Sequence, residues 1–204
     1  MSIIVYFEMI SVIVTVWYEP MEHVLASLRS LNHQSYGGDY EIILVDGGLT
    51  PTQEISSLVD RVLFAPKGKL NARHIGILNS RGDIIVAGDA DTLYPYDFLE
   101  KITGPFKDPE VVAVAGSTSW GLINDVLLYP LKVIRYGSRL SGRSSAFRKW
   151  AYFEVGGFDL TVDQSNWDVL MGEEEIRFYH KMKKLGKVVF VDTNVVHLGW
   201  GKKH

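Results

Sequence analysis

The chain has no cysteine among its 204 residues. That excludes disulfides, cysteine nucleophiles and Cys-ligated zinc, and leaves the redox compartment open. It also lacks an excess of either charge, with 21 Lys and Arg against 24 Asp and Glu and a formal net charge of −3. A slightly acidic chain without a basic run is poorly suited to dedicated nucleic-acid binding, which rests on Lys/Arg–phosphate contacts. No nucleic-acid partner is expected. Long hydrophobic runs are missing too. The most apolar stretch, MSIIVYFEMISVIVTVW, is interrupted by Glu8 and closed by Glu19-Pro20. It falls short of the roughly 20 apolar residues of a spanning helix. It has neither the basic start nor the small-residue cleavage site of a signal peptide. Its Ile and Val content favours a buried strand. The expectation is a cytoplasmic protein with at most peripheral membrane contact, its short basic tail GWGKKH being a solvated end. Repeats, low-complexity tracts and linkers are absent. A composition 47% hydrophobic and 22% charged excludes disorder and collagen-like structure. The length suits one domain, 1–204.

Strand-like and helix-like segments alternate along this domain. Ser11 to Trp17 is an apolar, β-branched run. Pro20 then opens a helical stretch in which Val24, Leu25, Leu28 and Leu31 share one face. Glu41 to Val45 reads as the next strand and Asp46-Gly47-Gly48 as its turn. A short helix carries Ile55, Leu58 and Val59, followed by a strand at Val62 to Ala65, a helix at Lys69 to Ser80 and a strand at Asp83 to Ala87. Strand and helix in turn, with short links, argue an α/β fold with a mostly parallel, doubly wound sheet flanked by helices. The second half is less regular. Strands are expected at Val111 to Ala115, Ser144 to Arg148 and Lys187 to Asp192. A helix kinked at Pro130 is expected over Leu122 to Tyr136, and another over Glu173 to Leu185 with Gly186 as its stop.

In open α/β sheets, ligands sit at the carboxyl ends of the strands. Asp46 follows the strand EIILV, and Asp89 and Asp91 follow the strand DIIVA. Converging strand-end carboxylates suit a hard divalent cation, Mn²⁺ or Mg²⁺, bridging to a diphosphate. A turn-forming role remains open for any one of them, since Asp is common after strands.

Five segments, in order from about Ser11 to His197, resemble family-2 glycosyltransferases of the GT-A fold. They are SVIVTVWYEP, EIILVDGGLT, KGKLNARHIGILNSRGDIIVAGDAD, YFEVGGFD and EEEIRFYHKMKKLGKVVFVDTNVVH. The resemblance implies a single-domain, Rossmann-like fold with a nucleotide-binding half at about 9–92 and an irregular acceptor-side half at about 93–204. It implies transfer of a sugar from a UDP- or GDP-sugar to a glycan, lipid or protein hydroxyl, metal-dependent and inverting. It places Thr15, Glu19, Asp46, Arg73, Asp89 and Ala90 around the nucleotide, and gives Asp91 and His197 to the metal. Gly157, Phe158 and Asp159 become acceptor-side or donor-sugar contacts. Glu175 falls on the expected catalytic base, one methylene longer than the family's Asp, so that Glu174 could serve instead.

Some positions depart from the pattern. Gly47 replaces an Asp, Trp17 and Tyr18 replace a Tyr-Asn pair, His74 replaces an Asn and Arg177 an acid. Either aromatic could stack on a base, core packing being the simpler reading. His23, His33 and His180 have no spacing partner. Set against that family, the expectation is a near-minimal catalytic core, of the kind a viral or archaeal source would carry. Three rival readings exist. IIVAGDADTL looks like the nucleophile strand of a haloacid-dehalogenase-type phosphatase, but its Thr92 stands one place after the second Asp, not two. A sugar-nucleotide pyrophosphorylase would need a Gly-rich first loop that VTVWYEP lacks. A catalytically degenerate nucleotide-binding protein is the third.

Overall fold

A computed structural model describes residues 8–46, 52–119, 126–162 and 173–199. Gly47 lies outside them. The central strands are β1 (Ile10–Val16) and β4 (Ile84–Asp89), and every residue of both is buried. Burial on both faces is why they read as continuous apolar runs. They pair in parallel, Thr15 opposite Asp89. Outward from β1 lie β2 (Tyr40–Asp46) and β3 (Arg61–Phe64), also parallel. On the other side of β4 come β7 (Ser145–Arg148), β6 (Val111–Ala115) and β8 (Lys187–Phe190). β7 runs antiparallel to both neighbours, while β6 and β8 are parallel. The order β3-β2-β1-β4-β7-β6-β8 makes a seven-stranded sheet that draws strands from both halves of the chain. Winding reverses between β1 and β4, which opens a crevice at their carboxyl ends, the place where such sheets bind ligands.

Helices cover both faces. Helix α1 (Met21–Asn32) buries Val24, Leu28 and Leu31, as their spacing predicts. Helix α2 is Gln53–Leu58. Helix α3 (Lys69–Asn79) lies so close to the sheet that a Cβ on Gly76 would come within 2.4 Å of Ile13 Cγ2. The α1 layer packs with α4 (Phe98–Thr103), and the α3 layer with α6 (Lys149–Glu154) and α7 (Glu175–Lys183).

The less regular half differs from expectation in three places. Residues 126–127 are helical, Leu128 interrupts them, and helix α5 resumes over Tyr129–Tyr136 with Pro130 in its first turn, so the expected kink is a break two residues before the proline; Leu122 lies outside the described residues. The last long strand ends at Phe190, not Asp192. A two-stranded antiparallel ribbon of β5 (Thr92–Leu93) and β9 (Val196–His197) is new. No helix among the described residues is long and apolar enough to cross a membrane.

Candidate active site

The β1/β4 crevice is built on a tight turn after β4. Ala90 N–H donates to the Thr15 carbonyl at 3.2 Å. The buried Tyr94 hydroxyl accepts from Asp89 N–H at 2.9 Å and donates to the Asp89 carbonyl at 3.2 Å. Burial raises the Tyr94 pKa, which keeps this phenol a donor. Ala90 is fully buried in the core, and Thr15 nearly so. Together they fix the turn that carries the two aspartates. Asp91 then meets His197, because the β5–β9 ribbon pairs Thr92 with His197 and Leu198 N–H donates to the Asp91 carbonyl at 2.8 Å. Asp91 Oδ2 and His197 Nε2 stand 3.0 Å apart, both partly open to solvent.

Asp89 faces a different environment. Lys69 Nζ donates to Oδ2 at 2.7 Å, Arg73 donates to Oδ1 at 2.9 Å, and Arg143 lies 3.8 Å from Oδ2. Burial alone would raise the Asp89 pKa, but these cations outweigh it and hold the carboxyl well below the usual range. Lys69 and Arg73 are one helical turn apart on α3 and so share a face. Arg73 reaches the site over Gly142, where a Cβ would lie 1.6 Å from its guanidinium nitrogen. Arg73 Nε and Arg143 Nε are buried without a hydrogen-bond partner. Lys69, Arg143 and Gly142 were not singled out from sequence. The i, i+4 spacing of Lys69 and Arg73 after Gly68 could have flagged the first; the other two join the site only through tertiary structure.

At the end of β1, Glu19 accepts from Trp17 N–H at 2.6 Å. Burial raises its pKa against that bond, with Asp89 and Asp91 adding to the rise. Glu19 thus shares the crevice with both aspartates. Asp46 is the last residue of β2, opposite Val16. Tyr18 is 78% exposed, so the core role expected of it fails. Trp17 is half-buried, with Lys67 Nζ 5.7 Å from its ring centre.

The two glutamates at the start of α7 have different surroundings. Glu175 is buried, and its Oε1 accepts from Gly142 N–H at 2.8 Å while Oε2 has no partner. Burial pushes its carboxyl above the ordinary value of 4.5, against the Gly142 bond and the charges of Arg73 and Lys69. Glu174 is also buried, but its Oε1 accepts from Asp159 N–H at 2.9 Å and ties down the Gly156-Gly157 loop. That loop needs its glycines: φ is +76° at Gly156 and +66° at Gly157, a region side chains avoid. Phe158, half-buried, packs edge-on to Tyr152 and against Phe178. Asp159 bonds its own turn through Thr161.

Asp91 and His197 fit a divalent ion such as Mn²⁺ or Mg²⁺. Their 3.0 Å separation is that of adjacent ligands on an octahedral ion with bonds of about 2.1 Å. No group of three His, Asp or Glu able to hold a metal occurs among the described residues. Such a site leaves positions for ligand oxygens, as Mg²⁺ sites commonly do.

Residues 11–169 match the model of glycosyl transferase family 2. Relatives include an N-acetylglucosaminyltransferase of Bradyrhizobium elkanii, 31% identical over 52% of this chain and 64% of its own length. Another, from Rhizobium meliloti, is 27% identical over 62% of this chain and 32% of its own. The chain therefore spans less than two thirds of either. Among solved structures, a mannosyltransferase from Pyrobaculum calidifontis in complex with GDP-mannose and Mn²⁺ superposes with a TM-score of 0.73 at 21% identity. It covers 97% of this chain and 59% of that one. TarS of S. aureus superposes at 0.68 with 14% identity, over 93% of this chain and 36% of its own. These superpositions establish a GT-A type α/β fold. By the match over most of its length, the chain belongs to glycosyl transferase family 2.

Proposed function

We propose that this chain transfers a hexosyl group from a nucleotide-diphosphate donor to an acceptor hydroxyl, inverting the anomeric centre. The observation that carries this reading is the pairing of Asp91 with His197 beside the cations that surround Asp89. A divalent metal bound there would neutralise negative charge on a departing diphosphate. Lys69, Arg73 and Arg143 supply a positive wall for the same phosphates. Glu19, in the crevice, and Asp46, the residue that ends β2, would serve the nucleotide. Asp89 acts by holding the wall in place.

Glu175 is the base. Gly142 fixes one of its oxygens and leaves Oε2 to accept the proton of the acceptor hydroxyl. Burial moves its pKa upward, toward the range where a base works at neutral pH. The acceptor oxygen then bonds the anomeric carbon as the bond from that carbon to the phosphate oxygen breaks on the opposite face. Glu174 positions the Gly156-Gly157 loop and is not the base. The sequence relatives bear the name N-acetylglucosaminyltransferase, and a structural neighbour holds GDP-mannose, so UDP-N-acetylglucosamine and GDP-mannose are the first donors to screen. The acceptor remains a glycan, lipid or protein hydroxyl.

The phosphatase reading fails on Asp89. Both its oxygens are already engaged by Lys69 and Arg73, and residues 11–169 match the glycosyl transferase family 2 model.

Calorimetric titration of UDP and GDP, with and without Mn²⁺, tests the proposal. Binding of either that needs the metal and vanishes in Asp91→Asn supports it. Absence of binding in every condition overturns it, and metal-dependent binding without transfer or donor hydrolysis would make the chain a nucleotide-binding protein only.

A further inference from the structure

Helix α5 is built inside out. Its one buried residue is a lysine: Lys132 is 0% exposed, and its ammonium donates to Asp192 at 2.8 Å and to Asn194. The apolar residues on and just before the helix face water. Leu127 and Ile134 are each 71% exposed, Val126 72% and Leu131 52%. This is the reverse of a helix that buries an apolar stripe. An exposed apolar patch of this kind marks an interaction surface.

The surroundings specify what covers it. Residues 126–139, which follow Asp125 in the sequence, contain no acid; Arg135 is exposed and Arg139 half-buried, while the charge of Lys132 is met by Asp192. Tyr129 and Tyr136 bracket the helix, and the Arg135 guanidinium sits 5.9 Å from the Tyr136 ring. Apolar side chains with Arg and Tyr at the margin match the composition of helices lying in a membrane interface. The chain as a whole is net negative, so attraction to an anionic surface must be local to such a face. A convex helix also suits a deformable lipid surface better than a rigid pocket would.

We propose that α5 docks the protein on an anionic lipid bilayer. Asp192 and Asn194, which grip Lys132, lie just ahead of β9 and its His197. Docking through α5 would therefore bring the Asp91–His197 edge of the sheet close to the lipid surface. The proposal is independent of the transfer reaction.

The test is co-sedimentation of the full chain with vesicles of phosphatidylcholine, with and without phosphatidylglycerol. The wild type is expected to pellet with the anionic vesicles. L127S/L131S/I134S, which changes only exposed side chains, should partition about tenfold more weakly. R135Q should lose part of the preference for phosphatidylglycerol. Nucleotide titration with Mn²⁺ should be the same in all three proteins, which separates loss of docking from failure of the donor site. Four results would overturn the proposal: no vesicle binding by the wild type; equal binding by the triple variant; binding abolished by K202A/K203A alone; or a concentration-dependent dimer that the triple variant breaks, with no vesicle binding.

Discussion

The two ends of the sheet treat buried charge in opposite ways. At the amino end, Glu41 is fully buried and both its oxygens are used: Ser11 and Arg81 N–H donate to one, Arg81 and Arg61 to the other. Arg148 nearby spans Glu8 and the carbonyls of Val111 and Phe106. At the carboxyl end, Glu174 Oε2, Glu175 Oε2, Arg73 Nε and Arg143 Nε are buried without partners. Arg61 Nε is the exception at the amino end. An unpartnered buried polar atom costs about 1–3 kcal/mol, so a group of them at one end points to a place kept for a ligand. The amino end holds the fold together; the carboxyl end holds capacity in reserve.

The sharpest test of this contrast is Glu175→Gln. Transfer should fall by about 10²–10⁴-fold, read as kcat. Stability should hold or rise, because the change removes an ionisable group that burial disfavours. Full activity would move the base to Glu174 or elsewhere. Next in size is Asp91→Asn, for which metal-dependent nucleotide binding should be lost with a melting shift corresponding to under about 0.5 kcal/mol. A large drop in stability would make the Asp91–His197 pair structural.

Glu41→Gln should do the converse, costing about 1–3 kcal/mol in a denaturant melt while activity per folded molecule is kept. The pH dependence has opposite signs at the two ends. Burial would raise the Glu41 pKa, but Ser11 and Arg81 outweigh it and lower it. Its contribution is therefore present above the unfolded value near 4.5 and lost as pH falls through the lower folded value. Glu175, with its folded pKa raised by burial, is a liability when ionised and is relieved as pH falls through that value. Melts of the two Gln variants should lie on opposite sides of wild type at pH 7 and converge on it as pH falls toward 3. A partial loss of binding is expected of Gly142→Ala. The new methyl would displace the Arg73 guanidinium and weaken nucleotide binding, with about 1–3 kcal/mol of overpacking strain. Unchanged affinity would remove Arg73 from the phosphate wall.

Much of the first half could be read from the residues. The apolar runs of β1 and β4 and the spacing of Val24, Leu28 and Leu31 carry their own period. Asp89 and Asp91 fall at a strand end by position alone. What the sequence left open shares one cause. Whether Ala90 or Phe158 faces a ligand, or Tyr18 the core, depends on what packs against it from elsewhere in the chain. The ribbon of β5 and β9 is two residues on each side, too short for any periodic pattern. Arg143 and Gly142 reach Asp89 and Glu175 across long stretches of sequence, and local propensity says nothing of such contacts.

That ribbon also bears on how the protein completes its folding. Asp91 and His197 come from opposite halves of the chain, and their contact closes a loop containing nearly all of the second half. Contacts so distant form at a high entropic cost and tend to come late. An ion held jointly by these two side chains would act as a fastener on the last turn to dock, binding the finished molecule and not its partly folded forms. By mass action it would raise the melting temperature in proportion to the logarithm of its concentration. The reagent that readies the site for a donor would then also report that the chain had finished folding.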